Sequence, residues 1–116
     1  MEYALKFDDK LFNGDNGKIA IAIQRNKPIL KDNGGRFEDY DLDSYLGLYD
    51  QINDAYKMKL ISKDLIYNDF SDALIDAYKN KEVQGYLIKI RKEDPTYFDG
   101  FDKLARICLE YQSQNK

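Results

Sequence analysis

The chain contains no histidine, no tryptophan and only one cysteine, Cys108. Without histidine it lacks the commonest general base and the commonest ligand for transition metals. A single cysteine cannot form an intramolecular disulfide or a CxxC metal site. No stretch approaches the roughly 18–20 apolar residues of a membrane span, and residues 1–9 lack the features of a secretory signal. We therefore predict a cytoplasmic protein without membrane association, and we predict no catalytic residue, metal site or cofactor.

What the sequence does contain is enough for one folded domain. Its 116 residues match the size of a typical single domain, and 43% of them are apolar. Ten tyrosines and six phenylalanines supply most of the aromatic bulk. The net charge of −3 arises from 21 acidic and 18 basic residues. This acidic background argues against nucleic-acid binding, which usually needs a large basic face.

Residues 1–40 have the weakest pattern. The segment 18–25 lies between two clusters of turn-forming residues. Its three isoleucines alternate as in a strand, whereas its alanines favour a helix, and Ile19 and Ile23 would also share a helical face. We predict a short helix that ends near Asn26, because the residue before a proline is driven towards an extended backbone. The rest of 1–40 is predicted to be irregular.

Residues 41–112 are predicted to form a helical core. Apolar residues recur at steps of three and four from 42 to 58, and Asp41 is a suitable N-cap for that helix. A second stripe follows Ser62, which can cap the next helix. Several tyrosines fall at inward positions, so we expect their hydroxyls to bond carboxylates or backbone groups.

The last third of the chain carries two more apolar stripes. The stripe from Val83 either continues the preceding helix through a bend or starts a new helix near Asn80. Asp94-Pro95 is predicted to start the final helix, with the aspartate as N-cap and the proline in the first turn. We therefore predict an all-α fold, a small bundle of four to five helices in one domain, with a frayed tail at 113–116.

Some motifs suggest chemistry, but each has a structural explanation that we favour. The Gly14–Gly17 spacing is too short for a phosphate-binding P-loop, and we interpret it as a turn before a helix. The acidic run at 38–43 suits a helix N-terminus, although it could also hold a cation or face a basic partner. Arg91 lies at a helix C-terminus and is expected to pair with a carboxylate of another helix. Cys108 lies on an apolar face, as an inert buried thiol would.

A set of short motifs extends from about Tyr40 to Arg106, a little over half of the chain. These are Leu42-Asp43-Ser44-Tyr45-Leu46, Leu60-Ile61-Ser62-Lys63-Asp64-Leu65-Ile66-Tyr67, Phe70, Tyr86-Leu87, Arg91, Asp94-Pro95, Tyr97, Phe101 and Leu104-Ala105. Together they resemble a family of short bacterial and phage proteins with a small helical domain of unknown function, sometimes placed after membrane helices. The resemblance implies an all-α fold and brings no activity, cofactor or binding residue. This chain departs from it in having no membrane helices, and Gly47 suggests a close helix approach.

We expect the protein to be a non-enzymatic protein–protein interaction module. Four short helices cannot bury so many aromatic residues, and tyrosine is enriched at protein interfaces because its ring is apolar and its tip is polar. The partner is expected to be another protein or a second copy of this chain. The expected interaction surface contains Tyr3, Phe7, Phe12, Phe37 and Tyr40.

Two alternatives stay open at this point. The first is a phage- or mobile-element-encoded inhibitor that binds a host defence protein, which small size and acidity suggest. An acidic face that matches a nucleic-acid backbone would favour it, and intermixed charges would count against it. The second and less favoured is a carboxylate-based enzyme, which would need a concave pocket where acids of shifted pKa converge.

Overall fold

Helices make up nearly all of the regular structure. The computed structural model describes the backbone of residues 2–114 and the side chains of residues 6–114. A short 3₁₀ turn, Lys31–Asn33, interrupts the long connection between the second and third helices. The helices are α1 (Glu2–Phe12), α2 (Gly14–Gln24), α3 (Asp39–Lys57), α4 (Lys63–Lys79), α5 (Lys81–Arg91) and α6 (Asp99–Gln114).

The all-α prediction is confirmed, but the helix count is not. The described residues form six helices rather than four to five. Residues 1–40 contain two helices, α1 and α2, where the sequence predicts one. None of the helices in 2–114 combines the length and the apolar character that crossing a bilayer requires.

The sharp turn between α1 and α2 depends on two glycines. Gly14 adopts a left-handed backbone with φ of +61°, which glycine accepts at little cost. The side-chain amide of Asn13 donates to the backbone carbonyl of Asp9 at 3.0 Å and closes the turn. Gly17 is buried, and a Cβ there would lie 2.6 Å from the carbonyl oxygen of Phe12. The motif was predicted to be a turn before the helix, but α2 already begins at Gly14, so Gly14 starts the helix and Gly17 lies within it, where α1 approaches closely.

The segment 18–25 is helical, and α2 ends where the sequence predicts. Asn26 takes a left-handed backbone and donates its N–H to the carbonyl of Ile23 at 3.1 Å. The N–H of Lys27 reaches the carbonyl of Ala22 at 2.8 Å. These two bonds form the Schellman motif that commonly closes helices.

One predicted helix start is confirmed and one open question is answered. The Ser62 hydroxyl accepts the N–H of Leu65 at 3.1 Å and caps α4. The Asn80 side chain accepts the N–H of Val83 at 2.9 Å. The stripe from Val83 therefore belongs to a separate helix, α5.

The predicted start of α3 is wrong by a few residues. Its N-cap is Glu38 rather than Asp41. The Asp41 carboxylate instead accepts the N–H of Glu38 at 2.9 Å, which completes a reciprocal capping box. The acidic run at 38–43 thus supplies the helix start.

The predicted start of α6 is also wrong. Asp94-Pro95 forms a local turn in which the aspartate accepts the N–H of Thr96 at 2.9 Å. The helix begins only at Asp99. Its first turn is capped from another helix, because the Asp50 carboxylate on α3 accepts the N–H of Phe101 at 2.7 Å. No local sequence signal could mark a helix start that depends on a residue so far away in the chain.

Aromatic residues fill the centre of the core, where α6 packs mainly on α3 and α4. The hydroxyls of Tyr45 and Tyr49 lie 2.8 Å apart and are both buried. The ring of Tyr49 also packs against Phe101, with centroids 5.6 Å apart. Two other tyrosines bond carboxylates as expected, Tyr86 with Asp43 and Tyr111 with Asp64.

Arg91 ties the end of α5 to the start of α6. Its guanidinium donates to the carbonyls of Tyr97 and Phe98 at 2.8 and 3.3 Å. It also forms an ion pair with Asp102 of α6 at 3.1 Å. The predicted pairing of Arg91 with a carboxylate of another helix is confirmed.

Candidate functional site

Helix α2 carries one large apolar side chain at the crest of its exposed face. Ile19 and Ile23 are buried in the core. Each residue advances about 100° around an α-helix. Ile21 stands two residues from both and must therefore point away from the core, and it is 47% exposed. It separates two open grooves, one on each flank of the helix.

The first groove lies between α2 and α4 and has a volume of about 280 Å³. Phe12, Ile21 and the small side chains of two alanines line it. Its α4 side carries Asp69, Asp72 and Asp76, which are spaced by three and four residues and so lie along one helical face. We call it the acidic groove. Within the described part of the chain, none of these three carboxylates forms an ion pair or a hydrogen bond.

The second groove lies on the opposite flank of α2 and has a volume of about 310 Å³. Ile21 borders it too, together with Ala22, Pro28 and Phe37. Its charged residues are Lys18, Arg25, Lys27 and Arg36. We call it the basic groove. Among residues 6–114 no carboxylate pairs with any of these four cations.

Negative charge is crowded beside the acidic groove. Burial, together with the neighbouring Asp69 carboxylate, raises the pKa of Asp8 on α1 above its ordinary value. The charge of Asp69 therefore acts across the contact between α1 and α4. No cation among the described ion pairs relieves this crowding.

A third groove, of about 270 Å³, lies between the 3₁₀ turn and α5. The Glu82 carboxylate in this groove already accepts hydrogen bonds from the neighbouring loop. The Glu82 carboxylate accepts the N–H groups of Ile29 and Leu30 at 2.7 and 2.8 Å. It also accepts the side-chain amide of Asn33 at 2.8 Å. Glu82 therefore holds the loop 28–37, which places Arg36 and Phe37 at the basic groove.

The predicted interaction surface is only partly exposed. Tyr3 lies in α1, but its side chain is outside the described residues. The prediction is wrong for Phe7 and Phe37, which are 5% and 8% exposed because each packs into the core. Phe12 and Tyr40 are exposed, at 41% and 68%. Phe12 lines the acidic groove, whereas Tyr40 lines none of the three grooves.

The sequence reasoning missed Ile21, which is central to this surface. The signal was present, since a helix over 18–25 that buries Ile19 and Ile23 must expose the residue between them. The charges on both flanks were harder to find. Asp69 and Arg36 come from segments whose placement beside α2 depends on the tertiary fold.

Two groups whose pKa is raised by burial, Cys108 and Asp50, line none of the three grooves. Cys108 is fully buried, and burial raises the pKa of its thiol to about 11, so the reactive thiolate is disfavoured. Burial also raises the pKa of Asp50, which is held by the backbone of α6 and lines none of the three grooves. No group of three potential metal ligands lies close enough among these residues to hold an ion.

Comparisons with protein-family models, with curated proteins and with solved structures found no match to this chain. The resemblance to short helical bacterial and phage proteins thus stays a prediction from the residues.

Proposed function

We propose that this protein is a non-enzymatic protein-binding module whose contact surface is the exposed face of α2 with its two grooves. One observation carries the proposal. Ile21 stands exposed between grooves whose charged residues have no ion-pair partner in the described structure. Protein interfaces commonly combine an apolar centre with a charged, solvent-accessible rim. A cytoplasmic location fits this proposal, because the single cysteine needs no oxidising compartment.

The shape of the grooves favours a protein partner over a small molecule. Small-molecule sites are usually clefts of about 300–1,000 Å³ that bury most of the ligand. The acidic and basic grooves, of about 280 and 310 Å³, are at or near the lower limit and open to solvent. They have room for individual side chains of a partner rather than for an enclosed substrate, which makes the carboxylate-enzyme alternative the least supported.

The charge pattern favours a protein partner over nucleic acid. The basic groove alone could contact phosphates, but the carboxylates of the acidic groove lie just across α2 and would repel a long polyanion. The same mixture weakens the alternative of an inhibitor that imitates a nucleic-acid backbone, because such imitation needs a uniformly acidic face.

The test is affinity capture from lysate with wild-type protein and two glutamate variants as baits. Ile21→Glu places a charge at the crest, and Ile88→Glu is the matched control, since Ile88 is 64% exposed on α5, away from both grooves. We expect at least one protein, whether a second copy or another chain, to be retained by wild type and Ile88→Glu and lost with Ile21→Glu. Circular dichroism should show equal folding of all three. Equal retention by the two variants would refute the proposed surface.

A further inference from the structure

We infer that the partner of this surface is a second copy of the same chain, bound about a two-fold axis that runs along α2. This inference rests on the proposed function and names the occupant of the surface. It is carried by the placement of opposite charges, without ion pairs among the described residues, on the two flanks of one exposed apolar crest.

The two flanks are complementary in charge and similar in number. The acidic groove presents three carboxylates that form no ion pair with any described residue, and Asp8 lies beside one of them. The basic groove presents four cations, none of which forms an ion pair within residues 6–114. Within one molecule α2 separates the two sets, so neither neutralises the other. Each flank is therefore complementary in charge to the opposite flank of a second copy, which carries three carboxylates on one side of α2 and four cations on the other.

Symmetry turns this pattern into a self-complementary surface. In a two-fold dimer the same surface patch of each subunit contacts its copy on the other subunit. An axis parallel to α2 exchanges the flanks, so that the acidic groove of each copy faces the basic groove of the other. An axis perpendicular to α2 within the interface would set like charges opposite each other. Charge alone therefore selects the parallel arrangement, which also brings the two Ile21 crests together.

The apolar part of the surface fits such a contact. Phe12 and Ile21 are 41% and 47% exposed, and both border the acidic groove. Helix α2 is only about 16 Å long, at 1.5 Å per residue. The apolar part of the contact is thus confined to one short helix and Phe12. We expect a weak dimer that depends on charge and on salt.

The first measurement is the solution mass of the full chain by sedimentation velocity over a range of concentrations. At about 0.1 M NaCl, where the screening length is about 10 Å, the mass should rise towards twice the 13.6 kDa monomer. At about 1 M NaCl the screening length falls to about 3 Å, and the dissociation constant of the dimer should rise. Ile21→Glu should raise the dissociation constant about tenfold or more, and Ile88→Glu should leave it unchanged.

The decisive experiment uses two charge-reversal variants, alone and mixed. One variant makes both flanks basic, and the other makes both flanks acidic. Each alone should stay monomeric because like charges then face each other, whereas an equimolar mixture should recover the dimer. The substitutions are Asp69→Lys, Asp72→Lys and Asp76→Lys in the first variant, and Lys18→Glu, Arg25→Glu and Arg36→Glu in the second.

A matched control separates this pattern from a general effect of charge. The control changes three exposed lysines away from both grooves and alters the net charge as much as the second variant does. It should dimerise like wild type. The control substitutions are Lys57→Glu, Lys63→Glu and Lys103→Glu.

The outcomes distinguish this inference from the proposed function. A wild type that is monomeric at all concentrations, or a mixture that stays monomeric, overturns the second copy as partner. If capture of a different protein still depends on Ile21 in that case, the binding function stands. If Ile21→Glu also leaves the set of captured proteins unchanged, both the inference and the proposed function are refuted. If the dissociation constant is unchanged by every substitution on these flanks, the dimer forms through another face, and this result also overturns the inference.

Discussion

Removing one hydroxyl from the Tyr45–Tyr49 pair should cost more stability than removing both. The two hydroxyls lie 2.8 Å apart, and each is the other's only hydrogen-bonding partner within the described residues. Both side chains are fully buried, with their rings edge to face at 5.4 Å. Tyr45→Phe leaves the Tyr49 hydroxyl without a partner, and Tyr49→Phe does the same to Tyr45.

The expected magnitudes follow from desolvation. A buried polar group that loses its partner costs about 1–3 kcal/mol, whereas replacing both partners by apolar groups of the same shape is nearly neutral. We expect about 1–3 kcal/mol for each single variant and about 0–1 kcal/mol for the double variant. The assay is urea unfolding of all four proteins at pH 7, followed by circular dichroism. A double variant whose loss equals the sum of the single losses would refute the mutual pairing.

Alkaline pH offers an independent check on the same pair. Burial raises the pKa of Tyr45 to about 12 in the folded chain, compared with about 10 when the chain is unfolded. The folded state therefore holds the proton of the Tyr45 hydroxyl more tightly than the unfolded state does. The contribution of this group to the free energy of unfolding is fully present below pH 10 and is lost as the pH rises towards 12. The loss from Tyr45 amounts to about 3 kcal/mol. The double phenylalanine variant should lose correspondingly less stability between these pH values, and an identical loss would contradict the burial of the pair.

The remaining predictions concern two glycines, the Glu82 carboxylate that holds the loop 28–37, and the Cys108 thiol. Gly17→Ala should lower stability by about 1–3 kcal/mol, because the new Cβ overlaps the backbone of α1. Gly85→Ala has nothing within 4 Å of the new Cβ and should raise stability by about 1 kcal/mol. Thermal unfolding should show a lower midpoint for the first variant and a higher midpoint for the second. Glu82→Gln should cost about 1–2 kcal/mol in urea unfolding, because an amide cannot accept all three donors of the loop 28–37; an unchanged midpoint would show that the carboxylate does not hold the loop. Cys108 should react with Ellman's reagent at pH 8 only in denaturant, and rapid reaction of the folded chain would contradict its burial.

The fold could be predicted wherever the signal was local. The stripe and the serine cap of α4 lie within a few residues of each other, and both were read correctly. The start of α6 was misplaced because its cap, Asp50, belongs to α3. Gly47 suggested a close helix approach, yet a Cβ there would meet only the ring edge of Phe98 at 4.0 Å.

The site could be predicted only in part, for the same reason. Exposure of Phe12 was expected, but Phe7 was expected to be exposed as well and faces the core. Ile21 became recognisable only once the strand-like alternation over 18–25 was resolved as a helix. The grooves on its flanks combine residues of α2 with residues of α1, of α4 and of the α2–α3 connection, and no spacing along the chain brings these together.

The position of α6 at the end of the helix order has a consequence for synthesis of the chain. Chains emerge from the ribosome N-terminus first, so α3 and α4 are present before α6 exists. Until then Tyr49 and Tyr78, whose rings pack against Phe101, have no covering helix on that side. A ribosome that stalls before Asp99 therefore leaves a chain with an open apolar core, which chaperones and proteases recognise. Synthesis of α6 then brings Phe101 onto Tyr49 and Tyr78 and covers this side of the core.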